Sequence, residues 1–542
     1  MERLKVSHIA DHKCELEGAQ RQLLRRAVCT PGTRVRVLDE ITKWANDASS
    51  DSQSVYWLIG QAGSGKSTIA YTIARRFEFA SDADDTIILG GNFFCSRQFE
   101  ETRFATRIIR TIVYHLALRC KPFADALSRF GRFDTIHHNV RAQLEGLLIE
   151  PWKHARCTDP SNLPHFLMII DAFDEIDGQG GSEFLRDLLD VINKHQLPGL
   201  KFFATSRPDP SLVTRLQRFE DKQFYRLEQV SIEEAQDDII TYLNTNLPHF
   251  THRPEMEKIV TQAAGLFIYA ATVVKYLEGY LPLEQKERLN TLTCISDPAI
   301  PQTSEETSLL DNLYFQVLSD AFCHFKGTSF VHRLHVLHTF LCSAERTSTA
   351  LVAELLFSSS DTDPAFSYTE IADSVLTHLH AVLYTENNQV LLYHKSFADF
   401  MFNQNQSREF WCNQAEHHRL LTNSCFRIMN AGLKFNIANI TSSFLLDCDN
   451  SALPDAVKQN IPPVLNYSCQ NWDQHLLAVK AINSDTLYHT LSQFLQLHIL
   501  FWIEAMNLLG LQGQCNQMLQ AACKWVTGVS QILNKCLKTN SP

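Results

Sequence analysis

The sequence lacks closely spaced cysteines and a basic charge balance, and each absence excludes a class of protein. Its 15 cysteines are scattered, with no Cys-x-x-Cys pair and no zinc-ligand spacing, which argues against a zinc-binding module or a disulfide scaffold. We interpret them as small buried hydrophobic residues in a reducing compartment and expect a cytoplasmic protein. A formal net charge of −11 argues against a general binder of nucleic acid or anionic membranes, so we expect no nucleic-acid partner.

The sequence also lacks a long, uninterrupted apolar run. The best candidate, Phe494 to Leu511, contains Gln496, His498, Glu504 and Asn507, so we interpret it as a buried helix and expect no membrane span. The first residues lack the apolar core of a signal peptide, and we find no internal repeat of fixed period. With 542 residues, 45% of them hydrophobic, the chain is expected to form three or four globular domains.

One glycine-rich segment fits the phosphate-binding pattern GxxxxGK[ST]. The strand-forming run Val55–Ile59 precedes it and a helical pattern through Ala74 follows it, which is the context that this motif needs. The loop's backbone N–H groups would point at phosphates, Lys66 would reach the β- and γ-phosphates, and the Ser67 hydroxyl would bind Mg²⁺. The predicted nucleotide-binding residues of this segment are Gly60, Gln61, Ala62, Gly63, Ser64, Gly65, Lys66, Ser67 and Thr68.

Two further strand ends supply polar residues for the same site. The run Phe166–Asp171 is apolar until its last residue, as in a buried parallel strand whose carboxyl end lies beside the phosphate loop. We predict that Asp171 binds Mg²⁺ and that Asp174 or Glu175 polarises the attacking water; helix capping or a solvated loop charge is the alternative. The next apolar run ends just before Arg207, which we expect to bind the γ-phosphate unless it is a surface residue.

Together these segments resemble the NACHT family of signal-transduction NTPases, within the STAND group of nucleotide-operated switches, and its fungal, nephrocystin-like branch in particular. The resemblance lies in the segments Cys29–Arg34, Trp57–Ala70, Met168–Ile176, Phe202–Asp209, Ala264–Ala270 and Leu310–Tyr314. Relatives often carry an effector domain in front and repeat arrays behind. We see neither in this sequence and therefore expect a switch core without its sensor or output.

We predict an α/β P-loop NTPase domain, with a parallel sheet covered by helices on both faces, followed by a small helical domain, a winged-helix domain and a C-terminal all-α region. In residue numbers, the predicted boundaries are 1–29 for an N-terminal segment, 30–229 for the NTPase domain, 230–281 for the small helical domain, 282–306 for a linker, 307–405 for the winged helix and 406–542 for the C-terminal region.

Several local patterns support these boundaries. A capping box at Ser231–Glu234 opens a helix, and Ala263–Leu277 reads as one further, largely apolar helix. The polar stretch Pro282–Glu306 contains three prolines and is interpreted as a linker. In the STAND group a Gly-x-Pro of the small helical domain touches the base. This chain has Gly265-Leu266-Phe267 there, so the family's base contact does not carry over directly.

A hairpin is predicted near residue 390, where two β-prone runs, Ala381–Thr385 and Gln389–Tyr393, flank an Asn-Asn turn. Helices followed by a hairpin are the layout of a winged helix. The resemblance implies that His394, directly after the second strand, binds the β-phosphate of ADP and locks a closed state; a capping or core histidine is the alternative. Elsewhere, three histidines at a spacing of three residues lack acidic or cysteine partners, and we interpret them as a helix face without metal. They are His332, His335 and His338.

The leading hypothesis is a regulatory switch that binds ATP or ADP with Mg²⁺ and hydrolyses ATP slowly. ADP would hold the closed form, and exchange for ATP would favour an open form that self-associates or binds partner proteins. The alternatives are a constitutive ATPase that drives remodelling, a GTPase, and a nucleotide-bound scaffold without switching. The guanine-reading signature Asn-Lys-x-Asp has its nearest match at Asn193–Gln196, which lacks the aspartate.

Overall fold

The structure is a computed structural model that describes residues 4–13, 27–49, 52–60, 63–78, 85–96, 99–158, 163–177, 180–195, 197–207, 223–226, 232–294, 307–357, 368–386, 388–440, 450–479 and 485–539. The chain divides into two compact units. The first comprises Met1–Leu313 together with His394–Ser396, and the second comprises Tyr314–Tyr393 and Phe397–Pro542.

A five-stranded parallel sheet forms the centre of the first unit. Its strands are β1 (Val55–Ile59), β2 (Ile87–Phe94), β3 (His165–Asp171), β4 (Leu200–Ser206) and β5 (Gln223–Arg226), in the order β2-β3-β4-β1-β5. β4 pairs with both β1 and β3 and therefore separates the strand before the phosphate loop from the acidic strand. The sequence predicted β1, β3 and β4 correctly and did not predict β5.

Helices cover both faces of this sheet, as predicted. On β1 the side chains alternate, so that Trp57 belongs to one apolar core and Tyr56 and Leu58 to the other. One core contains α1 (Val35–Asn46) and α2 (Lys66–Arg76). The other contains α3 (Ala105–Arg119), α4 (Lys121–Phe130), α5 (Val140–Gln143), α6 (Glu150–Thr158) and α7 (Gly180–His195), with a π-helical turn, Leu144–Ile149, between α5 and α6.

The N-terminal residues 4–13 belong to the first unit. Leu4 and Ala10 are fully buried in the core that also contains α3. Asn92 of β2 accepts a hydrogen bond from the backbone N–H of His12 at 2.8 Å and donates one to Asp11 at 3.1 Å. This short segment is therefore fixed to the sheet by both apolar and polar contacts.

Among the described residues after β5, four helices lie wholly within the first unit, and they correct two expectations. They are α8 (Ile232–Asn246), α9 (Pro254–Ala263), α10 (Phe267–Leu277) and α11 (Pro282–Cys294). The predicted single helix Ala263–Leu277 is wrong, because Ala264 and Gly265, with φ of 46° and 82°, separate α9 from α10. Much of the predicted linker is helical, since a proline is tolerated at the first position of α11. Residues 295–306 lie outside the described residues.

Where the structure describes the second unit, its regular elements are helices and one hairpin. Helix α12 (Thr307–Phe322) begins before the unit boundary, and α16 (Lys395–Met401) crosses the boundary after Ser396. The remaining helices are α13 (Thr328–Cys342), α14 (Thr349–Leu356), α15 (Tyr368–His378), α17 (Gln404–Ser407), α18 (Gln414–Gly432), α19 (Leu453–Asn460), α20 (Pro463–Ala478), α21 (Asp485–Leu497), α22 (Ile499–Leu508) and α23 (Cys515–Thr539). The predicted hairpin is confirmed: β6 (Leu383–Glu386) pairs antiparallel with β7 (Gln389–Leu392), and Asn388 in its turn has φ of 63°.

Aromatic rings fill the core of the second unit. Trp472 of α20 lies 5.9 Å from Trp502 of α22 and 5.6 Å from Phe426 of α18, measured between ring centroids. The apolar run Phe494–Leu511 is not one buried helix, because α21 ends before His498 and Leu500 is 73% exposed. Among the described residues, every helix is too short or too polar to cross a bilayer.

Candidate functional site

The phosphate loop connects β1 to α2. The N–H of Gly60 donates to the carbonyl of Ser206 at the end of β4, at 3.2 Å; the predicted residues Gln61 and Ala62 lie outside the described residues. Gly63 and Gly65 have φ of +79° and +90°, which residues with a side chain rarely adopt. A Cβ atom at Gly65 would meet no heavy atom within 4 Å, so the space beside the loop is open there. This open space lies beside the N-terminus of α2, where the free backbone N–H groups and the helix dipole favour an anion.

Lys66, the first residue of α2, is a buried cation. It is 8% exposed, and its Nζ donates to the carbonyl of Gly60 at 2.6 Å. Burial lowers its pKa to about 8, with a further lowering by Arg207, although Asp174, Asp171 and Glu175 act in the opposite direction. The protein alone therefore disfavours the charged form of this lysine. A phosphate beside it would compensate the desolvation.

Asp171 ends β3 and is only 2% exposed. Its Oδ1 accepts a hydrogen bond at 2.6 Å from Thr205 Oγ1 of the neighbouring strand β4. The same hydroxyl accepts from the N–H of Ala172 at 2.8 Å, where the chain turns with φ of 55°. Thr205 thus fixes the predicted metal-binding carboxylate through one hydrogen bond and the sharp turn after it through another.

Asp174 and Arg207 form a pair across the ends of β3 and β4. The backbone N–H of Arg207 donates to Asp174 Oδ1 at 3.1 Å, and its Nε lies 3.3 Å from Asp174 Oδ2. Glu175 follows in a short 3-10 turn and is half-buried. In this arrangement the carboxylate of Asp174 holds the guanidinium that we predicted to bind the γ-phosphate.

His394 is grouped with the first unit. The N–H of Ser396 donates to its Nδ1 at 3.1 Å, so Nδ1 is an acceptor and the ring proton lies on Nε2. Burial lowers the pKa of His394 to about 3, and the positive charges of Arg207 and Lys66 lower it further. The imidazole is therefore neutral, and it shares an electrostatic environment with the phosphate-loop lysine and the strand-end arginine.

The predicted magnesium site has the donors that a nucleotide-bound Mg²⁺ requires. Mg²⁺ prefers oxygen ligands and usually binds through one or two carboxylates together with substrate phosphates and water. Asp171 offers a carboxylate, and Ser67 offers an exposed hydroxyl in the first turn of α2. No described cluster of three or more His, Cys, Asp or Glu side chains could hold a metal alone. The residues thus fit an ion held jointly with phosphate oxygens.

Thr68, the last predicted nucleotide-binding residue of the segment, follows Ser67 in α2 and is half-buried.

Sequence reasoning missed two polar contacts of the site. In the sequence, Thr205 lies at the end of an apolar strand and Arg34 lies in a segment that resembles the family. Neither residue was assigned a contact in the site. The guanidinium of Arg34 donates to the carbonyl of Ser64 in the phosphate loop at 3.0 Å, and Arg34 is 5% exposed. The signal available in the sequence was the segment Cys29–Arg34 itself, although nothing in it indicates which residue reaches the loop.

A parallel sheet with β4 between β1 and β3, a phosphate loop after β1 and an acid at the end of β3 defines a P-loop NTPase fold in the first unit. Residues 32–207 match the family "Nephrocystin 3, N-terminal". This is about a third of the chain and contains the phosphate loop, Asp171, Asp174 and Arg207. No curated protein sequence matches the chain.

Three solved structures are similar to the chain at low sequence identity. A Walker-type ATPase of Pyrococcus abyssi is 12% identical, with 69% of this chain and 98% of that chain covered and a TM-score of 0.31. The Aeropyrum pernix ORC2 protein, in ADPNP and ADP complexes, is 13% identical, with 74% and 96% covered and a TM-score of 0.31. Drosophila ORC bound to DNA is 13% identical, with 64% and 79% covered and a TM-score of 0.24. These TM-scores are too low to support an argument.

Proposed function

We propose that this chain is a nucleotide-operated switch of the NACHT type, within the STAND group. In this proposal the first unit binds ADP or ATP with Mg²⁺, and slow hydrolysis of ATP resets the switch. Residues 307–405 form a winged-helix domain in this proposal. Exchange of nucleotide controls self-association or the binding of partner proteins. The nephrocystin-like match over residues 32–207 supports the nucleotide-binding part of the proposal.

The observation that carries the proposal is that a buried lysine, the N-terminus of α2 and a neutral buried histidine lie together at the phosphate loop. Burial lowers the pKa of Lys66 to about 8 and the pKa of His394 to about 3, and the positive charge of Arg207 lowers both further. A diphosphate or triphosphate at the loop would compensate the desolvation of Lys66. Since the site lies at the N-terminus of α2 and beside open space at Gly65, phosphate is the ligand that the geometry favours.

Each polar residue then has a chemical task. Lys66 neutralises phosphate charge, and neutral His394 donates from Nε2 to a phosphate oxygen. Bound Mg²⁺ would neutralise charge between phosphate oxygens, with Asp171 and Ser67 as its protein ligands. Arg207 is held by Asp174, so a γ-phosphate competes with Asp174 for the same guanidinium. Through this competition the site can distinguish ATP from ADP. The same competition frees the carboxylate of Asp174 to polarise the attacking water.

The test is to purify the chain, denature it and identify the released nucleotide by mass spectrometry. The wild type is expected to release ADP, and Lys66→Met is expected to release none. A charge-assisted contact contributes about 1.5–3 kcal/mol, or roughly a 10- to 150-fold change in affinity.

The matched control is Lys201→Met, since Lys201 is also 8% exposed and burial also lowers its pKa to about 8. Its Nζ instead donates to the carbonyl of Asp47 at 2.6 Å and to Ser52 Oγ at 2.7 Å, which is a structural role. ADP in the wild type and in Lys201→Met but not in Lys66→Met would support the proposal. GDP would favour the GTPase alternative, and empty sites in all three proteins would contradict a locked ADP state.

A further inference from the structure

A buried ion pair joins the start of α1 to helix α8. The Nε of Arg34 lies 3.7 Å from Asp238 Oδ2, and the side chains of both residues are nearly inaccessible. The backbone N–H of Arg34 also donates to Asp238 Oδ1 at 3.1 Å. Arg34 has a φ of 56°, a conformation that residues with a side chain rarely adopt. Asp238 therefore holds both the unusual backbone and the side chain of Arg34.

The guanidinium held in this way reaches the phosphate loop. Its Nη2 donates to the carbonyl of Ser64 at 3.0 Å, and its centre lies 4.6 Å from the ring centroid of Phe267, the first residue of α10. Arg34 thus contacts the loop, α8 and α10. Because a planar guanidinium donates in fixed directions, its contact with Ser64 depends on where Asp238 places it.

A second contact joins α10 to the same loop. The N–H of Ile268 donates to the carbonyl of Gly63 at 3.1 Å. A Cβ atom at Gly63 would lie 2.2 Å from Cγ2 of Ile268, so the loop and the helix are packed without space between them. Two consecutive loop carbonyls, those of Gly63 and Ser64, are therefore bound by groups whose positions depend on α8 and α10.

We propose that Asp238 is a positioning residue for nucleotide binding, which acts through Arg34 to hold the phosphate loop in its binding conformation. This rests on the proposed function, because it assumes that the loop binds a nucleoside diphosphate or triphosphate. It adds to that function a direct route by which the helices after the sheet control affinity. Movement of α8 changes the position of Arg34, and through Ser64 it changes the loop.

The experiment measures the affinity and the dissociation rate of fluorescent ADP. Asp238→Asn, which keeps an acceptor but removes the charge, is expected to weaken ADP binding about tenfold, mainly through faster release. Asp237→Asn is the matched control, because Asp237 is the exposed neighbour on the same helix, and it should bind as the wild type does.

A double-variant comparison separates positioning from a general loss of stability. If Asp238 acts through Arg34, the combined variant Asp238→Asn, Arg34→Met binds ADP no more weakly than Arg34→Met alone. Additive losses would overturn the proposal, because they would show that Asp238 acts independently of Arg34. Unchanged affinity and release rate in Asp238→Asn would overturn it as well. If the wild type binds no nucleotide at all, it is the proposed function that fails.

A second variant keeps the test decisive if Asp238→Asn does not fold. Phe267→Leu removes the ring beside Arg34 at a half-buried position and leaves the ion pair in place. Faster release of ADP, by about threefold, is expected, and its thermal unfolding without nucleotide should match that of the wild type. Release at the wild-type rate would overturn the proposal, because it would show that the placement of the Arg34 guanidinium does not control the loop.

Discussion

The two units bury polar groups in different ways. In the first unit, the buried groups at the ends of β1, β3 and β4 are charged and of both signs, as with Lys66 and Asp171. In the second unit, the buried titratable groups described between α13, α18 and α20 are mainly histidines that bind neutral partners. His338 Nε2 donates to the carbonyl of Phe410 at 3.0 Å, and His475 Nε2 lies 2.9 Å from the hydroxyl of Tyr467.

The difference distinguishes the proposed binding site from a packed interior. Burial lowers the pKa of Lys66 while nearby carboxylates oppose the shift, so the lysine retains a charge that a ligand can use. Burial lowers the pKa of His417 well below 6.5, and the neighbouring charges that contribute are other histidines that lower it further. A cluster of this kind is stable only when neutral. We therefore expect changes in the second unit to alter stability and changes at the strand ends to alter binding.

The largest effect should come from Trp472, which is fully buried in the core of the second unit. Trp472→Ala removes a large side chain and is expected to destabilise this unit by about 3–5 kcal/mol. The measurement is hydrogen exchange of peptides from α20 under increasing denaturant. Trp472→Phe is the informative comparison, because Nε1 of Trp472 has no hydrogen-bond partner among the described residues. It should cost less than Trp472→Ala because it removes less side-chain volume; equal losses would show that the removed volume does not determine the cost.

A smaller effect is expected from acid. Unfolded histidine binds a proton near its ordinary pKa of 6.5, whereas burial lowers the pKa of folded His338 to about 4. The stability that His338 contributes is therefore fully present above pH 6.5 and is lost as the pH falls toward 4. Between pH 7 and pH 5, linkage gives a loss of about 2 kcal/mol from this residue.

His338→Gln keeps a donor for the carbonyl of Phe410 and removes the titration. Denaturant unfolding of the second unit, followed at pH 7 and at pH 5, should show a smaller pH-dependent loss in this variant than in the wild type. The same loss in both proteins would mean that the fold does not lower the pKa of His338, and the comparison between the two units would fail there.

An effect of about the same size as that of acid is expected at Thr205, whose hydroxyl is bonded to Asp171 and Ala172. Thr205→Val removes the donor to the carboxylate and the acceptor of the backbone N–H. We expect a loss of about 1–3 kcal/mol in the unfolding free energy of the first unit, together with weaker Mg²⁺-dependent binding of ADP. Thr205→Ser keeps the hydroxyl and should behave as the wild type does. A weakened serine variant beside a valine variant that behaves as the wild type does would show that the methyl group, and not the hydroxyl, is important.

Local patterns were sufficient to predict much of the first unit. The apolar runs of β1, β3 and β4 and the glycine pattern of the phosphate loop are contiguous signals, so their elements were placed correctly. The hairpin was predicted for the same reason, because an Asn-Asn turn favours the left-handed backbone found at Asn388.

Contacts between distant segments could not be predicted. Nothing beside Asp238 in the sequence shows that it holds Arg34, and the role of Thr205 depends on β4 lying next to β3. Two helix boundaries were predicted wrongly because the residue type gave a misleading signal. Ala264 adopts a left-handed conformation despite the helical preference of alanine, and the proline that suggested a linker at Pro282 instead begins a helix.

The position of β4 in the sheet has a consequence for the order in which the protein can be made. β1, the phosphate loop and β3 leave the ribosome before β4, the strand that pairs with both β1 and β3. A growing chain that ends before Leu200 contains Lys66 and Asp171 but no strand to align them. The spacing of these two side chains is therefore set only once β4 has been made and has paired with both of its neighbours.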